Sequence, residues 1–186
     1  IHYHLNGNAT AYRSETFNVR FKNPVQPLVT ENSAKATVID RENAQSNKDV
    51  DLSQFISVKN FEGVTIWKKG LASIDQTLLS RYGITSLSSS GGTATLNANA
   101  VTLVKAYYNS NPSVDIKGQL PAYTSATVQA INGTAHARWS NTGATTITQP
   151  ITLVYKIKVA NRYNNGSTAA TAGEIEQLVS IVVNNQ

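Results

Sequence analysis

With 186 residues, 40% of them apolar and only 15% charged, the chain is long enough for a large domain with its own core and too apolar for a disordered tail. It contains no Cys, which excludes disulfides, thiolate nucleophiles and zinc sites of the cysteine type. The formal charge of +5 raises nucleic acid as a partner, but the longest basic run is Lys68-Lys69 and the other cations alternate with apolar residues, so none is expected.

Polarity comes instead from 19 Asn, 20 Thr and 17 Ser, the surface expected of an extracellular β protein. There is no Met, so a chain starting at Ile1 is expected to be a cut or processed piece, with any export signal upstream. No stretch approaches the roughly 18 apolar residues of a membrane span.

The first 22 residues read as a β-hairpin. Ile1, Tyr3 and Leu5 alternate with His2 and His4, Asn6-Gly7-Asn8 supplies a turn, and Phe17, Val19 and Phe21 alternate with polar neighbours. Such a hairpin is not stable alone and must dock on a sheet. Residues 1–23 are therefore expected to end a preceding module or to be docked or donated strands, 24–35, with Pro24 and Pro27, to be a linker, and 36–186 to be the main domain.

A strand is predicted from Ala36 to Asp40. DVDLSQFISV begins irregularly and settles into a second strand, and VTIW returns after a turn, with Trp67 near a sheet end. In ASIDQTLLSRYG, Leu71, Ile74, Leu78 and Tyr82 share a helical face and Ser73 with Gln76 has capping-box spacing, which predicts one short inserted helix. Alternation resumes in TATLN and VTLVKAYY, and residues 113–124 read as loop-like, with room for a strand. Asn132-Gly133 then marks a tight hairpin inside TVQAINGTAHARW. ITLVYKIKV faces Ile151, Leu153, Tyr155, Ile157 and Val159 one way; residues 161–173 read as a loop, and EQLVSIVV closes the chain. Nine or ten short strands with regular turn signals predict an all-β fold, an antiparallel immunoglobulin-like β-sandwich.

DVDLSQFISVKNFEGVTIW, followed later by ARWSNTGATTITQPITLVYKIKV, resembles the immunoglobulin-like modules of large exported surface proteins in Bacteroidetes bacteria. The matching positions are the DLS opening, the W-x-N-x-G turn at Trp139, Asn141 and Gly143, and the long strand from Ile151 to Val159. FNVRFKNPV is similar to the strand that leaves one such module for the next. The inserted helix and the loop around Pro112 make this domain longer than a minimal sandwich of roughly 100 residues. The resemblance implies a structural or adhesive role at the cell surface and supplies no catalytic residues.

The residues offer few chemical constellations. His2 and His4 point the same way on a strand and could be joined by His136 around a metal, though exposed strand histidines without function are the plainer reading. No G-x-S-x-G elbow, Walker loop or G-x-G-x-x-G is present. Asp49, Asp51, Glu62, Asp75, Asp115, Glu174 and Glu176 could supply a carboxylate pair, and spacing does not choose among them. Asp49 and Asp51 share one side of a strand, but no D-x-D-x-D-G loop accompanies them. Trp67, Tyr107, Tyr108, Tyr123 and Trp139 are candidates for a sugar platform, with Tyr107 and Tyr108 facing opposite sides, one to the core and one outward; core or sheet-edge packing is the plainer reading for each. Asn8, Asn132 and Asn165 open glycosylation-like triplets.

No catalytic residue, metal site or cofactor is expected. The leading reading is a non-enzymatic structural or adhesive module of an exported bacterial surface protein, partnered by neighbouring modules or copies of itself, with a surface glycan or protein as a further ligand. Alternatives are a self-assembling filament or virion subunit that donates its N-terminal strands, and a carbohydrate-binding module.

Overall fold

The computed structural model describes residues 2–4, 12–14, 16–19, 25–29, 34–43, 47–60, 64–71, 77, 79, 84, 87–90, 93–163 and 171–185. The fold is all-β, and among the described residues the strand pairs are antiparallel with one exception. In chain order the strands are β1 (His2–His4), β2 (Tyr12–Ser14), β3 (Val25–Val29), β4 (Ala34–Ile39), β5 (Lys48–Asp51), β6 (Ile56–Asn60) and β7 (Thr65–Lys68). They continue as β8 (Leu87–Ser90), β9 (Thr93–Leu96), β10 (Val101–Tyr108), β11 (Thr124–Ile131), β12 (Thr134–Asn141), β13 (Ile151–Tyr163) and β14 (Thr171–Asn184).

Two sheets dominate. One has the order β10-β13-β14-β4, the other β11-β12-β5; β3-β6-β7 forms a third, and β8-β9 and β1-β2 are separate two-stranded pairs. Alternation along β13 buries Ile151, Leu153, Tyr155, Ile157 and Val159, while β14 adds Val179, Ile181 and Val183 and β12 adds Ala135, Ala137 and Trp139 to the same core. The Tyr155 hydroxyl donates to the Thr127 carbonyl 3.1 Å away, which ties β13 to β11 of the other large sheet. Burial pushes the Tyr155 phenol well above its ordinary pKa, so it stays a donor.

The exception is β4, which runs parallel to β14, pairing Ala34 with Val179 and Ile39 with Asn184. The wholly antiparallel arrangement expected from the sequence is corrected here, because apolar alternation fixes which side chains share a face but carries no strand direction. The loop expected over 161–173 is also shorter: β13 and β14 continue to pair through Asn161–Gly173, Arg162–Ala172 and Tyr163–Thr171.

The N-terminal hairpin exists but with different strands. His2 pairs with Ser14 and His4 with Tyr12. Residues 16–19 form no strand, and Phe17 and Val19 are 64% and 60% exposed, so alternation there has no partner face to bury against. Residues 20–22 lie outside the described residues. Within the stretch read as a linker, β3 pairs with β6, and Pro27 stands opposite Val58; as the outer strand of its sheet, β3 can spare the missing N–H.

Asn132 (φ 50°) and Gly133 (φ 79°) make the two-residue turn joining β11 to β12, as Asn-Gly predicts. Of the predicted helix, Thr77 and Leu79 are described; both are helical, and Leu79 is fully buried. No helix among the described residues is long and apolar enough to cross a membrane.

Candidate functional site

The W-x-N-x-G turn is a densely hydrogen-bonded polar cluster. Alternation on β12 turns Trp139 and Asn141 inward, and both reach Asp40, the residue that follows β4. Asp40 is held there because its N–H donates to the Asn184 carbonyl at 2.8 Å, continuing the β4–β14 pairing. Its side chain has 0% exposure. The Trp139 indole N–H donates to Asp40 Oδ1 at 2.6 Å, Asn141 Nδ2 donates to both carboxylate oxygens at 3.2 and 3.0 Å, and the Ile147 N–H donates to Oδ2 at 2.8 Å. Asn141 also donates to the Thr145 carbonyl and accepts from the Gly143 N–H at 2.9 Å. A dry carboxylate whose oxygens are engaged by an indole, a carboxamide and a backbone amide anchors the loop 141–147; it is not placed to exchange protons with a substrate.

Above this anchor stands Tyr123. The turn from Pro121 to Thr124 is closed by the Thr124 N–H on the Pro121 carbonyl at 3.1 Å, and Tyr123 occupies its third position with φ 64°. Glycine or asparagine is the usual occupant of that conformation. The Thr142 N–H and hydroxyl both donate to the Tyr123 carbonyl, at 2.9 and 3.3 Å. Gly143 lies directly against the tyrosine: a Cβ there would stand 3.0 Å from Tyr123 Cβ and 3.1 Å from Cδ2. The side chain is 74% exposed. Asn43, also left-handed at φ 48°, donates its N–H to the Gly143 carbonyl at 2.7 Å and so joins the cluster.

No family model matches the chain, and searches of curated proteins and of solved structures returned no match. The site therefore stands on its own geometry.

The outer face of β5 and β12 carries a second polar group. Arg138 forks onto Asp49 with Nε–Oδ1 2.8 Å and Nη2–Oδ2 3.0 Å, and this pairing raises the arginine pKa further. Asp51 stands opposite His136 in the ladder, 2.7 Å from Lys69 Nζ. It also caps the 3-10 turn Leu52–Phe55, accepting from the Ser53 N–H at 2.9 Å and hydroxyl at 2.5 Å. Burial pushes the Asp51 pKa up, but the bonds from Lys69 and Ser53 outweigh it and hold the carboxyl below its ordinary value. Asp51, Lys69, Asn132 and His136 line a shallow cleft of about 390 Å³. The DLS opening is thus a capped turn that feeds β6.

The remaining sequence candidates are dispersed. Asp115 accepts the N–H groups of Ala106 and Lys117, which lowers its pKa. Glu176 faces Lys156 at 3.6 Å. The backbones of His2 and His4 lie in β1; Glu62 and Asp75 lie outside the described residues, as do Asn8 and Asn165. Groups of three or more metal-ligating side chains are absent among the described residues. Trp67 is fully buried, with its indole N–H on the Ser88 carbonyl at 3.3 Å, and Trp139 is buried on Asp40. Tyr108 packs on the core, whereas Tyr107 sits beneath Lys105 Nζ at 5.2 Å. Among the five aromatic candidates Tyr123 alone is exposed. The Asn132 triplet spends its threonine internally: buried Thr134 Oγ1 accepts from the Leu96 N–H.

Proposed function

We propose that the chain is a non-enzymatic structural or adhesive module of an exported bacterial surface protein, an immunoglobulin-like sandwich that transmits tension along the polypeptide and presents contact loops at one end. The direction of β4 relative to β14 carries this reading. Because the two strands are parallel, the chain enters beside Val179 and leaves beside Ile39. Tension pulling the two ends apart slides β4 along β14, and the six residue pairs from Ala34–Val179 to Ile39–Asn184 resist together. An antiparallel hairpin pulled at its open end yields one pair at a time. Asp40 reinforces the clamp by tying the end of β4 to β12. The surface rich in Asn, Thr and Ser supports a setting at or outside the cell surface.

Single-molecule pulling tests it. The cysteine-free chain accepts engineered Cys handles without competing thiols. Pulled between its termini, the chain is expected to resist to a clearly higher peak force than when pulled between position 149 and the C-terminus, where β13 and β14 open pair by pair. Equal forces in the two geometries would overturn the reading.

A second reading is favoured by one observation: the β1–β2 hairpin is hydrogen-bonded to no other described strand. A hairpin that pairs with no other described strand is suited to complete a sheet in another copy, as a filament or virion subunit would require. Light scattering over a hundredfold concentration range, with and without residues 1–23, separates the two. Polymers that vanish on truncation support assembly, and a constant mass near 20.0 kDa supports the self-contained module.

A further inference from the structure

Tyr123 combines two properties that packing does not explain. It holds a left-handed backbone, φ 64°, that a bulky side chain adopts only at a cost in energy, and its side chain is 74% exposed. A residue selected only for the turn would be Gly or Asn. A residue selected for the core would be buried. The surroundings nevertheless fix it firmly: Thr142 binds its carbonyl through both N–H and hydroxyl, Gly143 is small enough to let the side chain lie against the loop, and Asp40 and Asn141 pin that loop from beneath. The result is an aromatic side chain displayed to solvent on a turn that is bonded to the Asp40-anchored loop 141–147.

We propose that Tyr123 is the contact residue of a carbohydrate site, its ring stacking on a pyranose of a surface glycan, with the exposed side chains of Asn43 and Thr142 offering hydrogen bonds to the sugar hydroxyls. A tyrosine gives a large amphipathic contact at low conformational entropy cost, and one held by its backbone gives up still less on binding. Exposed amide and hydroxyl side chains on residues bonded to the backbone of this same cluster match a polyhydroxylated ligand. The inference rests on the adhesive half of the proposed function and names the ligand class for it.

The test is affinity electrophoresis of the full chain through gels containing mannan, laminarin, xylan or galactan, paired with thermal melting. The wild-type chain is expected to be retarded by at least one polysaccharide. Tyr123→Trp should keep the retardation. Tyr123→Gly should lose it at least tenfold while melting no lower than wild type, because glycine accepts the backbone conformation that tyrosine resists. Three results would each overturn the site: no retardation in any gel, unchanged retardation of Tyr123→Gly, or a fall in its melting temperature of more than about 4 °C, which would make the ring a packing residue. The pulling experiment does not involve Tyr123. High resistance without glycan retardation would therefore remove this site and leave the tension-bearing reading in place, and low resistance with retardation would do the reverse.

Discussion

Asp40 and Trp139, 99 positions apart, are joined by a 2.6 Å hydrogen bond between a fully buried carboxylate and an indole N–H. This contact makes the end of one sheet's outer strand and the centre of the other large sheet a single unit. Asp40→Ala leaves the Trp139 indole, the Asn141 carboxamide and the Ile147 amide without their acceptor in a dry site, so a loss of about 3–5 kcal/mol is expected. Trp139→Phe removes one donor and some volume and should cost about 1–3 kcal/mol. Urea midpoints for both variants and their double mutant check this, and the double mutant should lose less than the sum because the two share one bond.

Asp51 gives the pH dependence a sign. Its carboxyl is held below the ordinary value of 3.8, so the folded state favours the ionised form. The stabilisation is complete above the unfolded pKa and is lost as pH falls through the lower folded value. Acid titrations of stability should therefore show wild type ahead of Asp51→Asn at pH 6, with the gap closing below about pH 4. Lys69→Met should narrow the gap at pH 6, because the ammonium at 2.7 Å is one source of the shift. A gap that widens in acid would contradict this assignment.

Much of the ladder was legible in the sequence, while its three-dimensional partners were not. The Asn132-Gly133 turn and the inward set of β13 follow from local chemistry and appear as expected, whereas the irregular DLS entry proves to be a 3-10 turn capped by Asp51 between β5 and β6. Phe17 and Val19 show the limit of alternation: the pattern marks a strand only where a face exists to cover it, and both residues stand exposed. Trp67 and Trp139 are open to a platform reading, with core or sheet-edge packing the plainer one, and both are core; periodicity assigns a face without saying which face is dry. Asp40 carried no signal, since its partners lie about a hundred residues away. Tyr123 stands among the aromatic candidates, but its left-handed backbone carried no signal, because the sequence cues for positive φ are Gly, Asn and Asp.

Gly143 is required by a close approach, with no need for unusual backbone freedom. A methyl group there meets Tyr123 Cβ at 3.0 Å, Tyr123 Cδ2 at 3.1 Å and Asn141 Oδ1 at 3.2 Å. The asparagine is pinned by Asp40 and the tyrosine by Thr142, so neither moves aside freely. Gly143→Ala is expected to cost about 1–2 kcal/mol, read as a lowered melting temperature. In a Tyr123→Gly background the same substitution should cost clearly less, because two of the three close contacts are gone. An unchanged cost would place the conflict at Asn141 alone.

Strand β10 is an outer strand, and the loop that follows it covers part of its open edge. The Ala106 N–H donates to Asp115 Oδ1 at 3.1 Å, the Ala106 carbonyl accepts the Ile116 N–H at 2.7 Å, and Lys105 Nζ reaches the Pro112 carbonyl at 2.8 Å. These contacts occupy groups that would otherwise offer a pairing template to another chain. The Asp115 side chain is exposed, so Asp115→Ala should leave the core intact while freeing the Ala106 N–H. Faster hydrogen exchange at Ala106 is expected, together with a scattering mass that rises more steeply with concentration than in wild type. Backbone donors hold the Asp115 carboxyl below its ordinary value, so wild type should keep its protection down to about pH 4 and lose it as pH falls through the lower folded pKa. If exchange at Ala106 does not change in Asp115→Ala, the Ile116 contact alone holds the loop, and the carboxylate is not what closes this edge.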